Sequence, residues 1–454
     1  MPTIAAISTP NAVGGISVIR ISGEKSIGVA EKIFRSTSGK KISEMQGYTC
    51  AHGAVVDGED THVDEVILSV FKAPKSYTGE DVVEISCHGG VYITKKILRL
   101  IFENGAKPAE AGEFTKRAFL NGKLSLTQAE AVIDLISAGG KSELKYAIAL
   151  KDGAIFRRID KIKRRIISVL GDLAAWADFP EDDIPEVDPE NLLETLKGIY
   201  ESLVETNKTY DYGRIIREGI NTVISGKPNV GKSTLMNCLS GFERSIVTDV
   251  AGTTRDIIEE TVQLGEIKLR LSDTAGIRKT DDIVEGIGVN LAFKRIDEAD
   301  LVLALFDNSS EITDEDLKLI EKLSNRKSIA VINKIDEKSA LDRNLINENF
   351  KYIVEISAKN NEGIEGLINA VNEMFLHEDI EAEKGIIANE RQKNCITKAE
   401  ELVLDSINAL EQGELLDAIT IILDEAAAYL LELTGERVSE TVLNEVFSRF
   451  CIGK

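Results

Sequence analysis

The stretch Gly226-Lys227-Pro228-Asn229-Val230-Gly231-Lys232-Ser233 constrains this chain more than any other. An apolar, β-branched run (220–225) precedes it, and a helix-forming run (234–239) comes after. Strand, glycine-rich turn and helix in that order is the setting in which G-x-x-x-x-G-K-[ST] cradles phosphate. Glycines let successive backbone N–H groups converge on phosphate oxygens, and the helix N-terminus adds positive potential. Lys232 is expected to reach the β- and γ-phosphates, and the Ser233 hydroxyl to ligate Mg²⁺.

Motifs further down the chain narrow the nucleotide. Asp273-Thr274-Ala275-Gly276 ends a strand-like run (267–272), where a carboxylate suits a Mg²⁺ link and the Gly276 N–H is free to meet a γ-phosphate. Asn333-Lys334-Ile335-Asp336 ends another. The Asp336 carboxylate can accept both N1–H and N2–H of guanine, a donor pair that adenine lacks. Ser357-Ala358-Lys359 is placed to support the base. Gly252-Thr253-Thr254-Arg255-Asp256 falls at the switch I position, where Thr254 would ligate Mg²⁺ only while a γ-phosphate is present. These motifs, in this order, specify a GTPase.

Two departures bear on catalysis. Ile277 stands where small Ras-like GTPases carry a water-orienting Gln, and an isoleucine cannot polarise water. The base must come from elsewhere, and residues 278–288 offer Asp281, Asp282 and Glu285. Asn229 reads either as a plain turn residue or as a ligand for a monovalent cation, which would do the electrostatic work of an arginine finger.

Around this domain, residues 216–378, the pattern changes twice. Residues 1–118 read as a mixed α/β unit, with strands at 3–6, 16–21, 66–71 and 82–86 and a helix at 91–104. His88-Gly89-Gly90 ends one strand, either as a tight turn or as backbone open to a ligand. Residues 119–215 and 379–454 repeat apolar positions at helix spacing, which suggests one helical domain with the P-loop domain inserted. The expected fold is therefore multidomain, an α/β N-terminal domain and an all-α domain carrying a doubly wound Ras-like P-loop domain. The run Arg157-Arg158-Ile159-Asp160-Lys161-Ile162-Lys163-Arg164-Arg165 is expected to be a solvated helix face, with nucleic-acid contact as the alternative. A net charge of −22 argues against binding nucleic acid through the overall field but leaves a local basic patch open. Five scattered cysteines, no basic leader and no membrane-length apolar stretch suggest a soluble cytoplasmic protein.

Patterns outside the P-loop domain complete the picture. They are Thr3-Ile4-Ala5-Ala6, Gly15-Ile16-Ser17-Val18-Ile19-Arg20-Ile21-Ser22-Gly23, Tyr77-Thr78-Gly79-Glu80-Asp81, Gly112-Glu113-Phe114-Thr115-Lys116-Arg117, Gln128-Ala129-Glu130-Ala131 and the terminal Cys451-Ile452-Gly453-Lys454. Over its whole length the chain resembles the MnmE (TrmE) family of bacterial and organellar tRNA-modification GTPases. The resemblance implies a homodimer formed through the N-terminal domains and a partnership with the FAD-binding protein MnmG. It implies addition of an aminomethyl-type group (carboxymethylaminomethyl in some tRNAs) to C5 of the wobble uridine. A tetrahydrofolate, in 5-formyl or 5,10-methylene form, would supply the one-carbon unit.

Carried over by position, Arg20, Glu84, Lys123 and Lys454 match the family's folate contacts. GTP or GDP would touch Asn229, Val230, Gly231, Lys232, Ser233 and Thr234, then the segment Thr248, Asp249, Val250, Ala251, Gly252, Thr253 and Thr254. Asp273, Thr274, Ala275 and Gly276 would come next, with Asn333, Lys334, Asp336, Ser357, Ala358 and Lys359 around the base. Potassium would fall on Asn229, Thr248, Val250 and Thr253, and Glu285 matches the catalytic glutamate. Cys451 reads as a small buried residue, with a redox or nucleophilic role as the alternative. Ser125 stands where many relatives carry an acidic residue. The alternative function is a regulatory GTPase switch that assembles partners without joining the modification chemistry.

Overall fold

The computed structural model describes residues 1–58, 60–178, 188–242, 259–265, 267–272, 295–375 and 382–453. The chain divides into two compact units, Met1–Ile133 with Ala427–Lys454, and Asp134–Ala426.

The first unit is built on a seven-stranded sheet. Its strands are β1 (Ile4–Ile7), β2 (Ile16–Ser22), β3 (Phe34–Ser36), β4 (Thr49–Val56), β5 (His62–Phe71), β6 (Val82–His88) and β7 (Lys107–Pro108). The order is β3-β4-β5-β6-β2-β1-β7, antiparallel throughout except for the β1–β7 pair. Side chains alternate along each strand, so one face is apolar. Ile19, Ile21, Leu68, Val83 and Ile85 face the helices Ser26–Ile33 and Val91–Glu103, whose Val29, Ile33, Ile97 and Ile101 close that core. The register sets Arg20 directly opposite Glu84, on the other face. The helix Glu440–Ser448, capped by Ser439, seats Leu443, Val446 and Phe447 against Leu126, Ala129 and Val132. Beyond it the chain returns to the sheet: Ile452 bridges Ala111, and the Ser8 hydroxyl donates to the Gly453 carbonyl at 3.1 Å.

The second unit combines helices with a six-stranded sheet. The strands are β8 (Ile220–Ser225), β9 (Glu259–Leu264), β10 (Ile267–Ser272), β11 (Leu301–Asp307), β12 (Ser328–Asn333) and β13 (Tyr352–Glu355), in the order β13-β12-β11-β8-β10-β9. Five are parallel, and β9 pairs antiparallel with β10. The order reverses at β8, so the turn after β8 opens at the carboxyl end of the sheet, where doubly wound folds bind ligands. Helices Lys141–Lys151, Ala154–Asp178, Pro189–Asn207 and Tyr210–Glu218 precede β8, and Glu390–Glu411 comes after the sheet. Residues 385–392 return onto the earlier helices: the Arg158 guanidinium donates to the Gly385 carbonyl at 3.0 Å, and the Ile387 N–H donates to the Thr209 hydroxyl at 3.2 Å. The α/β domain is thus inserted into a helical one.

Two sequence expectations meet the structure differently. The basic run 157–165 is a solvated face only in part. Lys163 is buried and pairs with Asp160 at 2.9 Å, and Arg165 donates to the Gly198 carbonyl at 3.1 Å. Only Arg157, Lys161 and Arg164 stand out to solvent. At 88–90 the tight-turn reading holds: a Cβ on Gly89 would collide with the Gly14 backbone.

Candidate functional site: a phosphate turn joined to a base-reading loop

The turn between β8 and the helix Lys232–Phe242 has the backbone that phosphate binding needs. Gly226 and Gly231 sit at φ 157° and 103°, and Asn229 is held at φ 61°. A side chain on Gly231 would strike the Asn333 amide. The Lys232 ammonium folds back over the turn, donating to the carbonyls of Gly226 at 2.6 Å and Lys227 at 2.9 Å. Burial lowers its pKa below the usual lysine range. A half-buried cation on carbonyl oxygens, its burial only partly offset by the Glu315 carboxylate, favours an incoming anion. Ser233 and Thr234 lie in the first helical turn. Lys227 points the other way and is anchored by Asp316 at 3.0 Å.

Asn333 joins the phosphate turn to the base loops. It is 3% exposed. Its Nδ2 donates to the Val230 carbonyl at 2.9 Å, and its Oδ1 accepts the Ala358 N–H at 3.0 Å. One side chain at the end of β12 therefore ties 226–233, 333–336 and 357–359 together. Lys334 adopts φ 65° and pairs with Asp307 at 2.5 Å. Asp336 is exposed, and its Oδ1 accepts the Ser357 hydroxyl at 2.6 Å. That hydrogen bond holds its carboxyl below the usual range. The carboxylate stays ionised and acceptor-only, as a reader of two guanine N–H groups must be. Lys359 is exposed beside it. The expected residues Thr248, Asp249, Val250, Ala251, Gly252, Thr253, Thr254, Asp273, Thr274, Ala275, Gly276 and Glu285 lie outside the described residues.

The first unit holds a second cluster. Arg20 Nε donates to Glu84 at 2.8 Å, and its guanidinium lies 5.4 Å from the Tyr77 ring centre and 5.5 Å from that of Phe114. It also donates to the Gly453 carbonyl at 3.5 Å. The loop carrying Tyr77 is fixed from below by Arg117, 1% exposed, which binds Glu80 at 2.9 Å and Glu113 at 2.7 Å. Lys123 donates to the Pro74 carbonyl at 3.1 Å, on the same loop. Lys454 lies outside the described residues, one position beyond Gly453. Cys451 is exposed, not buried as expected, because its backbone is what docks: its carbonyl accepts the Gly112 N–H. The Ser125 hydroxyl pairs with that of Thr127 at 3.0 Å. The aromatic flanks of Arg20 and the buried Arg117 went unassigned at the level of sequence. Both lie inside the patterns that carry the resemblance, so the signal was present without a contact to interpret it.

Comparison with known proteins decides the family. The tRNA modification GTPase MnmE of Acetivibrio thermocellus is 44% identical over 459 residues, covering 100% of this chain and 99% of the relative. The chain belongs to the MnmE family. The MnmE of Carboxydothermus hydrogenoformans is 43% identical over 457 residues, with the same 100% and 99% coverage. The family model described as the MnmE helical domain matches residues 126–451, and that described as the GTP-binding protein TrmE N-terminus matches residues 3–123. Among solved structures, the G domain of the T. maritima FeoB iron transporter is 28% identical, covering 34% of this chain and 97% of that one, at a TM-score of 0.26. As an MnmE-family member the chain is a P-loop GTPase with a TrmE-type N-terminal domain. Among the described residues no helix is long and apolar enough to cross a membrane.

Proposed function

We propose that this chain is a cytoplasmic, K⁺-stimulated GTP hydrolase that works as a homodimer with an FAD-binding MnmG partner. Together they install an aminomethyl or carboxymethylaminomethyl group at C5 of the wobble uridine in certain tRNAs. The observation that carries the GTPase reading is the Asn333 bracket, which holds the phosphate turn and the Asp336 loop on one edge of the sheet. In this reading Lys232 and the N–H groups of 229–234 bind the phosphates, and Asp336, with Ser357 behind it, selects guanine. Glu285 orients the attacking water, the task that Ile277 cannot perform. Pairing of the two GTPase domains orders the switch segments.

The described residues suit the groups the reaction needs. The desolvated Lys232 suits a Mg²⁺–nucleotide, which Ser233 and Thr254 would hold with Asp273 behind; the ion spreads the phosphate charge. Asn229 presents an exposed amide at a left-handed turn, and with Thr248, Val250 and Thr253 it would hold K⁺, the source of a fixed positive charge. Arg20 and Glu84, flanked by two aromatic rings, suit a heterocycle bearing N–H groups and a carboxylate tail. With Lys123 and Lys454 they would hold a 5-formyl- or 5,10-methylene-tetrahydrofolate, the one-carbon source.

The test is GTP hydrolysis in K⁺ and in Na⁺ at equal ionic strength, with Asn229→Ala and Glu285→Ala in parallel. Stimulation by K⁺ that disappears in Asn229→Ala supports the cation-assisted mechanism. A Glu285→Ala protein that still dimerises with GTP but does not hydrolyse it supports the role of Glu285. Equal wild-type rates in the two salts refute the K⁺ reading.

A further inference from the structure

The helix Val91–Glu103 buries Thr94, Ile97, Leu100 and Ile101 and turns an opposite stripe outward. That stripe is Tyr92, Lys95 and Arg99, at spacings of three and four, with Lys96 at its side. Tyr92 is 79% exposed, far beyond what a tyrosine placed for core packing shows. Together with Asp57 and Glu103 these residues line an open cleft of about 430 Å³. Asp57 pairs with Lys96 at 3.7 Å and Glu103 with the Nε of Arg99 at 2.9 Å, so the cleft keeps one cation in excess, and the Arg99 side chain stays 80% exposed.

Residues 1–118 carry 14 Lys and Arg against 14 Asp and Glu, so the chain's charge of −22 falls on the remainder. The N-terminal unit is thus where a polyanion meets the least repulsion. An exposed aromatic ring among three cations is what an unpaired nucleic-acid strand needs, a base stacked on the ring and phosphates on the flanking charges. We propose that this helix face is a direct RNA contact, taking an unpaired segment of the tRNA with a base on Tyr92 and phosphates on Lys95, Lys96 and Arg99. The proposal rests on the tRNA-modification reading above and adds that this chain touches the RNA itself.

The test uses the full-length chain and an end-labelled, unmodified tRNA transcript, with anisotropy titrations between about 50 and 200 mM salt. Tyr92→Ala is expected to weaken binding by roughly 5- to 150-fold, as loss of one stacked base does, and Tyr92→Phe to retain it. Lys95→Gln with Arg99→Gln is expected to lower the slope of log K against log salt by about 1.4, or about 0.7 for each single-strand phosphate contact. GTP hydrolysis stays at the wild-type rate in all three, and an unchanged denaturation profile reports that the N-terminal unit is folded. Unchanged affinity and slope in the variants overturn the proposal. So does a change in self-association, read by sedimentation, without a change in RNA affinity, which would make the face a contact between copies. A wild-type chain that binds no tRNA also overturns it, while tRNA modification by the chain plus its flavoprotein partner, assayed alongside, shows separately whether the underlying reading stands.

Discussion

Asn333→Ala separates the role assigned to Asn333 from that of an ordinary core amide. The wild-type side chain makes two buried hydrogen bonds, to the Val230 carbonyl and from the Ala358 N–H, at 2.9 and 3.0 Å. Removal leaves a carbonyl and an N–H buried without partners, each costing about 1–3 kcal/mol. The loss from the folded α/β domain is then about 2–6 kcal/mol, of which partial relaxation leaves about 3 kcal/mol as a working figure. The same bonds set the distance between the phosphate turn and the base loop, so part of the loss appears in binding. Titration with a fluorescent GDP is expected to show a fall of about tenfold to a hundredfold, roughly 1.4 kcal/mol per decade. Denaturant unfolding monitored without nucleotide reads the rest. Asn333→Asp keeps the acceptor for Ala358 but sets a carboxylate oxygen against the Val230 carbonyl, so it does not rescue. Wild-type affinity and wild-type stability in Asn333→Ala would refute the bracket.

Three further outcomes rest on the same geometry. Asp336→Asn replaces one acceptor oxygen with a donor, so GTP affinity falls and a base with a carbonyl at position 2, as in xanthine, gains; competition between XTP and GTP measures the inversion, with the fold kept because the amide oxygen still accepts the Ser357 hydroxyl. Arg117→Met strands Glu80 and Glu113 in the first unit and is expected to destabilise it by about 3–5 kcal/mol, read by chemical denaturation. Asp300 supplies a pH test. Burial pushes its carboxyl up, but Arg214 and the Asn221 N–H outweigh burial and hold it below the usual range. A depressed folded pKa stabilises above the unfolded value of about 3.9 and is lost as pH falls through the lower folded value, so Asp300→Asn flattens that part of the acid-unfolding profile.

The nucleotide edge was legible because its signals are local: each motif is a short run at a strand end, and strand and motif declare one another. The parts that escaped depend on partners distant in sequence. β4 went unread because Gly53 and His52 break its β-propensity, yet Gly53 is there because Phe34 packs over it. The helix Tyr210–Glu218 hides behind Gly213, whose missing side chain admits the Ile387 backbone. The solvated half of the basic run was legible, but the anchoring of Arg158 and Arg165 was not, because the carbonyls that receive them, of Gly385, Gly198 and Thr195, come from elsewhere in the chain. In the Arg20 cluster, Arg20 and Glu84 were named by resemblance, and the register of β2 on β6 brings them together; Tyr77 and Phe114 needed the fold to be seen.

The insertion of the α/β domain explains how nucleotide state can reach the helices. The carboxyl ends of β8 and β12 carry the phosphate turn and the base loop. The other ends of β8, β10 and β11 are fixed to the helices by charge. Lys268, near the start of β10, reaches the buried Glu143 at 3.2 Å. Asp300, just before β11, takes Arg214 at 2.7 and 3.1 Å and the Asn221 N–H at 3.1 Å. Arg217, in the last turn before β8, holds Asp134 at 2.8 Å. The strand β8, which ends at the phosphate turn, and its neighbour β10 therefore begin beside an ion pair to a helix, and β11 between β8 and β12 does the same. Partly buried pairs of this kind fix orientation more than they add stability, because desolvation offsets much of their attraction. A displacement at the carboxyl end of β10 would load that strand directly, and the Lys268–Glu143 pair is one contact outside the α/β domain that must hold or give.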